Sequence, residues 1–310
     1  MLTIHKPVLI NEVIEFLSPK KNQNFVDCTI GGGGHAEKIL ELTGPNGRLL
    51  GMDWDPGAIK LSRHRLEKFK KRLVLVNHSY IELKKVVYDE RFFHINGILL
   101  DLGLSSDQLQ ASGRGFSFQV NEPLDMRYSP EENEFTAADI INKWPEEKIK
   151  KMLKENAEEG HAGRIAKAII ERRKEEEIKT TLELVAVVIK NVPRKRSRIH
   201  PATKTFQALR MEVNNELTNV RLLLKDVLEI MEPGCRLGII TFHSLEDRIV
   251  KQFFKHESID CHCPTEIPVC RCEHKAQLKL ITKKPVGPSD DEISENFRSR
   301  SAKLRVVEKL

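Results

Sequence analysis

The sequence predicts an α/β protein, a parallel sheet flanked by helices and interrupted by a helical insertion. Three observations predict it. Short apolar, β-branched runs alternate with helical patterns through the first hundred residues; strand signal is scarce over about 113–220; and it returns in RLGIIT at 236–241. Continuous apolar runs separated by helices are what a sheet covered on both faces requires, with right-handed crossovers between parallel strands.

The elements follow in order. NFVDC at 24–28 is the first strand, followed by a glycine run and a helix over about 35–42. RLLGMD at 48–53 is the second, with a helix near 56–70, LVLVN at 73–77 the third, and INGILLD at 95–101 the fourth. In the insertion, Thr180 and Glu183 form a capping-box pattern opening the helix LELVAVVIKNV, which stops before Pro193. The run ERRKEEEIK at 171–179 mixes both signs and is read as a solvated helix face. Pro233-Gly234 marks the turn before the strand at 236–241, and two late runs, 278–284 and 302–307, are expected to form a terminal strand pair. The expected domain limits are 1–110 and 216–310 for the two parts of the sheet domain and 111–215 for the insertion.

Length and composition agree. The chain has 310 residues, 40% hydrophobic and 31% charged, enough apolar material for a sizeable core and unlike a disordered chain. Lys and Arg total 51 against 45 Asp and Glu, so the net charge of +6 permits a polyanionic partner without requiring one. No apolar stretch approaches the roughly 20 residues that cross a bilayer. The N-terminus lacks a signal-peptide pattern, and six cysteines, four of them within 261–272, do not make a secreted disulfide framework. A soluble cytoplasmic protein is the expectation.

The glycines at 31–34 followed by His35-Ala36 satisfy G-x-G-x-x-A between a strand and a helix, where backbone can approach a ligand and free N–H groups face an anion. About 20 residues on, Asp53 ends the second strand, placed to accept from ribose hydroxyls. Together these point to a nucleoside cofactor, and both NAD(P) and S-adenosylmethionine meet the description. Asp27, just before the glycines, would repel a pyrophosphate and suits a cationic methionine moiety, which leans toward S-adenosylmethionine. The fourth strand ends in Asp101-Leu-Gly-Leu-Ser-Ser, a small polar loop at the sheet edge where open α/β sheets place substrates.

The blocks HKPVLINEVI, DCTIGGGGH, LLGMDWDPGAI, ILLDLGLSSDQL, GRGFSF, PLDMRY, RIHPATKTFQALRMEVNNEL, ITFHSLEDRIVK and RSRSAKLRV, which span nearly the whole chain, resemble the ribosomal small-subunit RNA methyltransferase H family. The resemblance implies a seven-stranded, Rossmann-like class I methyltransferase sheet with an inserted all-helical domain for substrate recognition. It implies S-adenosylmethionine as cofactor and transfer of its methyl group to N4 of a cytidine in the decoding centre of 16S rRNA, with the small ribosomal subunit as partner. It further implies cofactor contacts at Gly33, Gly34, His35, Asp53, Tyr80, Asp101 and Gln108, Tyr80 as an aromatic wall for adenine.

The cytosine amine is a weak nucleophile because its lone pair is delocalised into the ring. An acceptor for an N4 proton would localise it, and Asp101 is the candidate; His5 and His243, both in family-matching blocks, are candidate catalytic or substrate contacts. Residues 190–210 hold Lys190, Arg194, Lys195, Arg196, Arg198, Lys204 and Arg210 with no acid among them, a single-signed run suited to RNA phosphates. Of these, Arg194, Lys195, Arg196, Arg198 and Lys204 are the assigned RNA contacts. Cys261-x-Cys263 and Cys270-x-Cys272 offer four thiols whose C-x-C spacing is tighter than most zinc sites use; they are read as reduced thiols, with no metal assigned. Cys28 and Cys235 read as small buried apolar residues.

Overall fold

The structure is a computed structural model that describes residues 7–104, 112–193, 200–264 and 271–310. The chain divides into two compact units, one formed by Met1–Gly103 with Leu217–Leu310 and the other by Leu104–Glu216.

The first unit begins with helix α1 (Ile10–Leu17), then alternates strand and helix: β1 (Asn24–Asp27), α2 (Gly34–Leu42), β2 (Leu49–Asp53), α3 (Pro56–Arg65), β3 (Leu73–Asn77), α4 (Leu83–Asp89) and β4 (Ile95–Asp101). The helix expected over 56–70 is shorter, because Leu66 leaves the α-helical path and 67–69 tightens into a 3₁₀ turn. Among the described residues, the second unit contributes α5 (Ala137–Lys143), α6 (Glu146–Ala157), α7 (Ala162–Glu175), α8 (Thr181–Asn191) and α9 (Thr203–Val213). The chain returns through α10 (Glu216–Ile230) to β5 (Arg236–Thr241), α11 (Ser244–His256), β6 (Leu278–Leu280), α12 (Asp290–Glu295) and β7 (Lys303–Lys309). The expected late strand over 278–284 ends at Leu280, after which 281 and 282 bond to Val306 outside the ladder.

The seven strands lie in the order β3-β2-β1-β4-β5-β7-β6, all parallel except β7, which pairs antiparallel with both β5 and β6. Alternation along each strand sends neighbours to opposite faces. Val26, Ile98, Leu100, Leu237 and Ile239 enter one apolar layer with α4, α10 and α11, while Phe25, Leu99 and Ile240 enter the other with α1 and α2. Both faces are therefore covered, which is why these strands read as continuous apolar runs.

The second unit has its own core, built from residues such as Ile140, Leu153, Ile165, Leu184 and Leu209. Thr180 caps α8 with the reciprocal Thr180/Glu183 pairing its sequence announces, and Glu183 Oε2 accepts from the backbone N–H groups of Lys179 and Thr180. Around 171–179, Lys174 pairs with Glu171 and Arg172 with Glu176 on an exposed face.

Candidate active site

The sheet order reverses direction between β1 and β4, the neighbours from which successive crossovers depart to opposite sides. In open α/β sheets a ligand sits at that switch point, outside the carboxyl ends of the strands. Register brings the relevant ends level, with Asp27 opposite both Gly51 and Leu99, Asp53 opposite Asn77, and Asp101 opposite Ile240. Three strands thus deliver a carboxylate to the same edge.

The loop after β1 is tied down on both sides. Cys28 N–H donates to Leu99 O at 2.9 Å, Ile30 N–H to Met52 O at 2.8 Å, and Asp101 N–H to Thr29 Oγ1 at 2.7 Å. Gly31 N–H then donates to Asp53 Oδ2 at 2.9 Å, linking the glycine turn to the end of β2. Gly33 caps α2 at φ +78°, in the left-handed region where a side chain is strained, and a Cβ on Gly34 would meet Pro7 at 2.9 Å. Pro7 and Val8 lie against this turn, and His35 Nε2–H donates to Val8 O at 2.9 Å.

All three carboxylates are short of compensating charge. Asp27 is 1% exposed; burial, opposed by the Thr29 N–H and reinforced by the charge of Asp53, raises its pKa to about 7. Burial also raises Asp53 to about 6, against the N–H donations of Asp55 and Gly31. Asp101 is raised well above the ordinary range by burial first and then by the charges of Asp27 and Glu246. Its Oδ1 is buried without a hydrogen-bond partner, while Oδ2 lies 3.9 Å from His35 Nδ1. An orphaned carboxylate oxygen at a sheet's switch point fits a cationic ligand there.

The expected residues fall as follows. Gly33, Gly34, His35, Asp53 and Asp101 gather at this edge, with His35 buried between Asp101 and the Val8 carbonyl. Tyr80 opens the 3₁₀ turn after β3, half-buried and packed against the first core layer, while Asn77 Nδ2 donates to Asp53 O at 2.8 Å. His243 ends the loop after β5 as the N-cap of α11. Its Nδ1 accepts from Glu246 N–H at 3.4 Å, and its Nε2 lies 3.1 Å from Glu246 Oε1. Glu246 Oε2 also accepts from the N–H of Phe242, the residue before the cap, at 3.0 Å. His5, Gln108, Arg194, Lys195, Arg196 and Arg198 lie outside the described residues.

Lys204 is exposed at the start of α9, and its Nζ donates to Glu158 O at 2.9 Å. Arg210 corrects the all-cationic reading of 190–210. Its Nε and Nη2 donate to Glu216 Oε1 and Oε2, both at 2.7 Å, so its charge is neutralised by an acid beyond the run. His200 stacks on Phe118, centroids 4.7 Å apart, and Phe206 meets Phe118 edge-on. Sequence reasoning missed Thr29, which joins the glycine loop to β4, and Glu246, whose charge reaches Asp101; the H-S-L-E spacing is a capping signature that could have found the latter.

A seven-stranded sheet of this order with one antiparallel strand, a glycine turn after β1 and acids ending β2 and β4, defines a class I methyltransferase of Rossmann-like topology. The model of the MraW methylase family matches residues 2–310, and the chain belongs to that family. Similar proteins include the ribosomal RNA small subunit methyltransferases H of Thermomicrobium roseum (44% identical over 308 residues, 99% of this chain and 94% of that one) and Clostridioides difficile (45% over 308 residues, 99% of both). That of Dehalococcoides mccartyi is 47% identical over 306 residues, covering 99% of this chain and 86% of its own. No helix among the described residues is long and apolar enough to cross a membrane.

Proposed function

We propose that this protein methylates N4 of a cytidine in the decoding centre of 16S rRNA within the small ribosomal subunit, using S-adenosylmethionine. The observation that carries the cofactor is the trio Asp27, Asp53 and Asp101 at the switch point, all with raised pKa and one with an unpartnered buried oxygen. A cationic nucleoside relieves that strain, whereas the pyrophosphate of a dinucleotide adds to it. The substrate class is supported by family membership and by relatives of nearly full-length coverage.

S-adenosylmethionine, when bound, supplies an electrophilic methyl group on a sulfonium centre. The protein's own work is positioning and electrostatics. Asp53, whose two oxygens are already fixed by Gly31 and Asp55 N–H groups, keeps further lone pairs for ribose hydroxyls. Tyr80 offers a ring face to the adenine. Asp27 and Asp101 face the positive charge, and Asp101 takes a proton from the cytidine N4, a role its raised pKa suits. His35 lies 3.9 Å from Asp101 and ties Val8 to the start of α2. His243 is assigned to the substrate in this reading, and the family resemblance assigns His5 to the substrate and Gln108 to the cofactor. In this reading the cations at 194, 195, 196 and 198, with Lys204, meet rRNA phosphates, and the target base is splayed out, because a stacked and paired cytidine amine is inaccessible.

The test uses purified protein, isolated small subunits and labelled S-adenosylmethionine, with nucleosides resolved by mass spectrometry. N4-methylcytidine at one position is expected. Methylation of naked DNA instead, or of another nucleoside, overturns the substrate. Asp101→Asn should lose turnover at least 100-fold, about the contribution of one general base, while equilibrium dialysis still detects cofactor binding. Near-normal turnover removes Asp101 as the acceptor.

A further inference from the structure

Beyond the sheet edge just described, the excursion between α11 and β6 gathers a second set of reactive side chains. Its ends are pinned together, Gln277 N–H and Leu278 N–H both donating to Glu257 O at 2.8 and 3.0 Å. Between those ends, none of the described residues 258–264 and 271–277 is a buried apolar side chain, and Ile259 is exposed. Burial of hydrophobic surface therefore does not hold these two segments against each other.

What meets instead is sulfur. The Sγ atoms of Cys261, Cys263 and Cys272 all lie within 4.8 Å of one another, with Cys261 Sγ and Cys272 Sγ 3.8 Å apart. A zinc–sulfur bond of about 2.3 Å at a tetrahedral angle sets neighbouring sulfurs about 3.8 Å apart. Each sulfur also accepts a backbone N–H: Cys272 from His262 at 3.4 Å, Cys261 from Cys263 at 3.4 Å, and Cys263 from Arg271 at 3.3 Å. Sulfur accepts weakly as a thiol, and three N–H groups turned onto three clustered sulfurs are arranged for thiolates, whose mutual repulsion needs a cation between them.

We propose that Cys261, Cys263 and Cys272 bind a structural zinc ion that staples the outgoing limb of the 257–277 excursion to its returning limb. Zinc displaces the three thiol protons to solvent and forms three Zn–S bonds, leaving a fourth position for one further ligand. Cys270, the sequence partner of Cys272, lies outside the described residues. The neighbouring imidazoles of His256, His262 and His274 are a separate cluster. Their ring nitrogens also lie within 4.8 Å of one another, and His256 and His262 stack face to face with centroids 3.8 Å apart and planes within 13°. The metal is remote from methyl transfer in chemistry, since that reaction needs no Lewis acid, so its role is to order the loop.

The full chain, purified without metal-affinity resin or added chelator, is analysed for metals and by zinc-edge X-ray absorption. About one zinc per chain is expected, with a shell of at least three sulfurs near 2.3 Å. Cys261→Ser/Cys272→Ser should carry no zinc while keeping the wild-type circular dichroism, and hydrogen exchange in 257–277 should rise at least 10-fold. A wild-type protein that neither contains nor takes up added zinc overturns the proposal; so does a nitrogen- and oxygen-only shell, or zinc retained by the double variant. The absorption measurement on wild-type protein stands even where the variant fails to fold.

Discussion

Replacing Asp27 by asparagine tests the electrostatics of the site most directly. Asp27 is 1% exposed at the end of β1, accepts Thr29 N–H at 3.2 Å, and has its pKa raised from 3.8 to about 7. Because the folded-state value exceeds the unfolded one, the carboxyl's contribution is intact below pH 4 and is lost as pH rises through 7. The ionisation penalty so imposed on the ligand-free protein is about 2 kcal/mol at pH 5 and about 4 kcal/mol at pH 8. The Asp27→Asn side chain keeps the oxygen that accepts from Thr29 and carries no charge, so it escapes the penalty. Urea unfolding of ligand-free wild type and Asp27→Asn at pH 5 and pH 8 should show the variant more stable at both, with the gap widening by about 2 kcal/mol toward pH 8. Cofactor binding should weaken in the same variant, because the charge that destabilises the empty site attracts the cation. A gap that stays constant or narrows from pH 5 to pH 8 refutes the claim that an uncompensated charge is buried there.

Further expectations follow from the same edge and from elsewhere. S-adenosylmethionine affinity should fall as pH drops through 7 and 6, where Asp27 and Asp53 protonate, and calorimetry near pH 6.5 in buffers of different ionisation enthalpy should register net proton release on binding; proton uptake would contradict it. Neutralising Arg194, Lys195 and Arg196 together should reduce the salt slope of rRNA binding by about 2 to 3, and an unchanged slope removes them from the interface. Arg305 donates to both oxygens of Asp247 at 2.7 and 3.2 Å between β7 and α11. Burial raises the Asp247 carboxyl, but Arg305 and then Lys303 hold it below its usual range, so this support is present above pH 4 and lost on acidification. Arg305→Ala should cost about 3 kcal/mol at pH 7 by chemical denaturation, and a cost under about 1 kcal/mol would show that Lys303 suffices.

Much of this molecule was legible before folding was considered. The runs NFVDC, RLLGMD, LVLVN and INGILLD are strands because both faces of their sheet are covered, so apolar residues fill successive positions rather than alternating ones. The glycine turn and Asp53 were visible because backbone sterics and the spacing of a β-α-β unit are local constraints. The reach of Glu216 to Arg210 was not, since nothing within 190–210 contains the acid that neutralises it. Nor was Thr29's hold on Asp101, 72 residues away in sequence.

The sequence by itself determined the class of fold, the family, and which carboxylates end which strands. Only the tertiary structure decided what those carboxylates experience. Parallel pairing sets Asp27 beside β4 and brings Asp101 within the field of Glu246, while no cationic side chain is hydrogen-bonded to Asp101 Oδ1. Likewise, four cysteines in twelve residues are a composition; three sulfurs within 4.8 Å, each receiving an N–H, are an arrangement. Desolvation and charge–charge distance exist only once the chain is packed, and they separate a turn residue from a site.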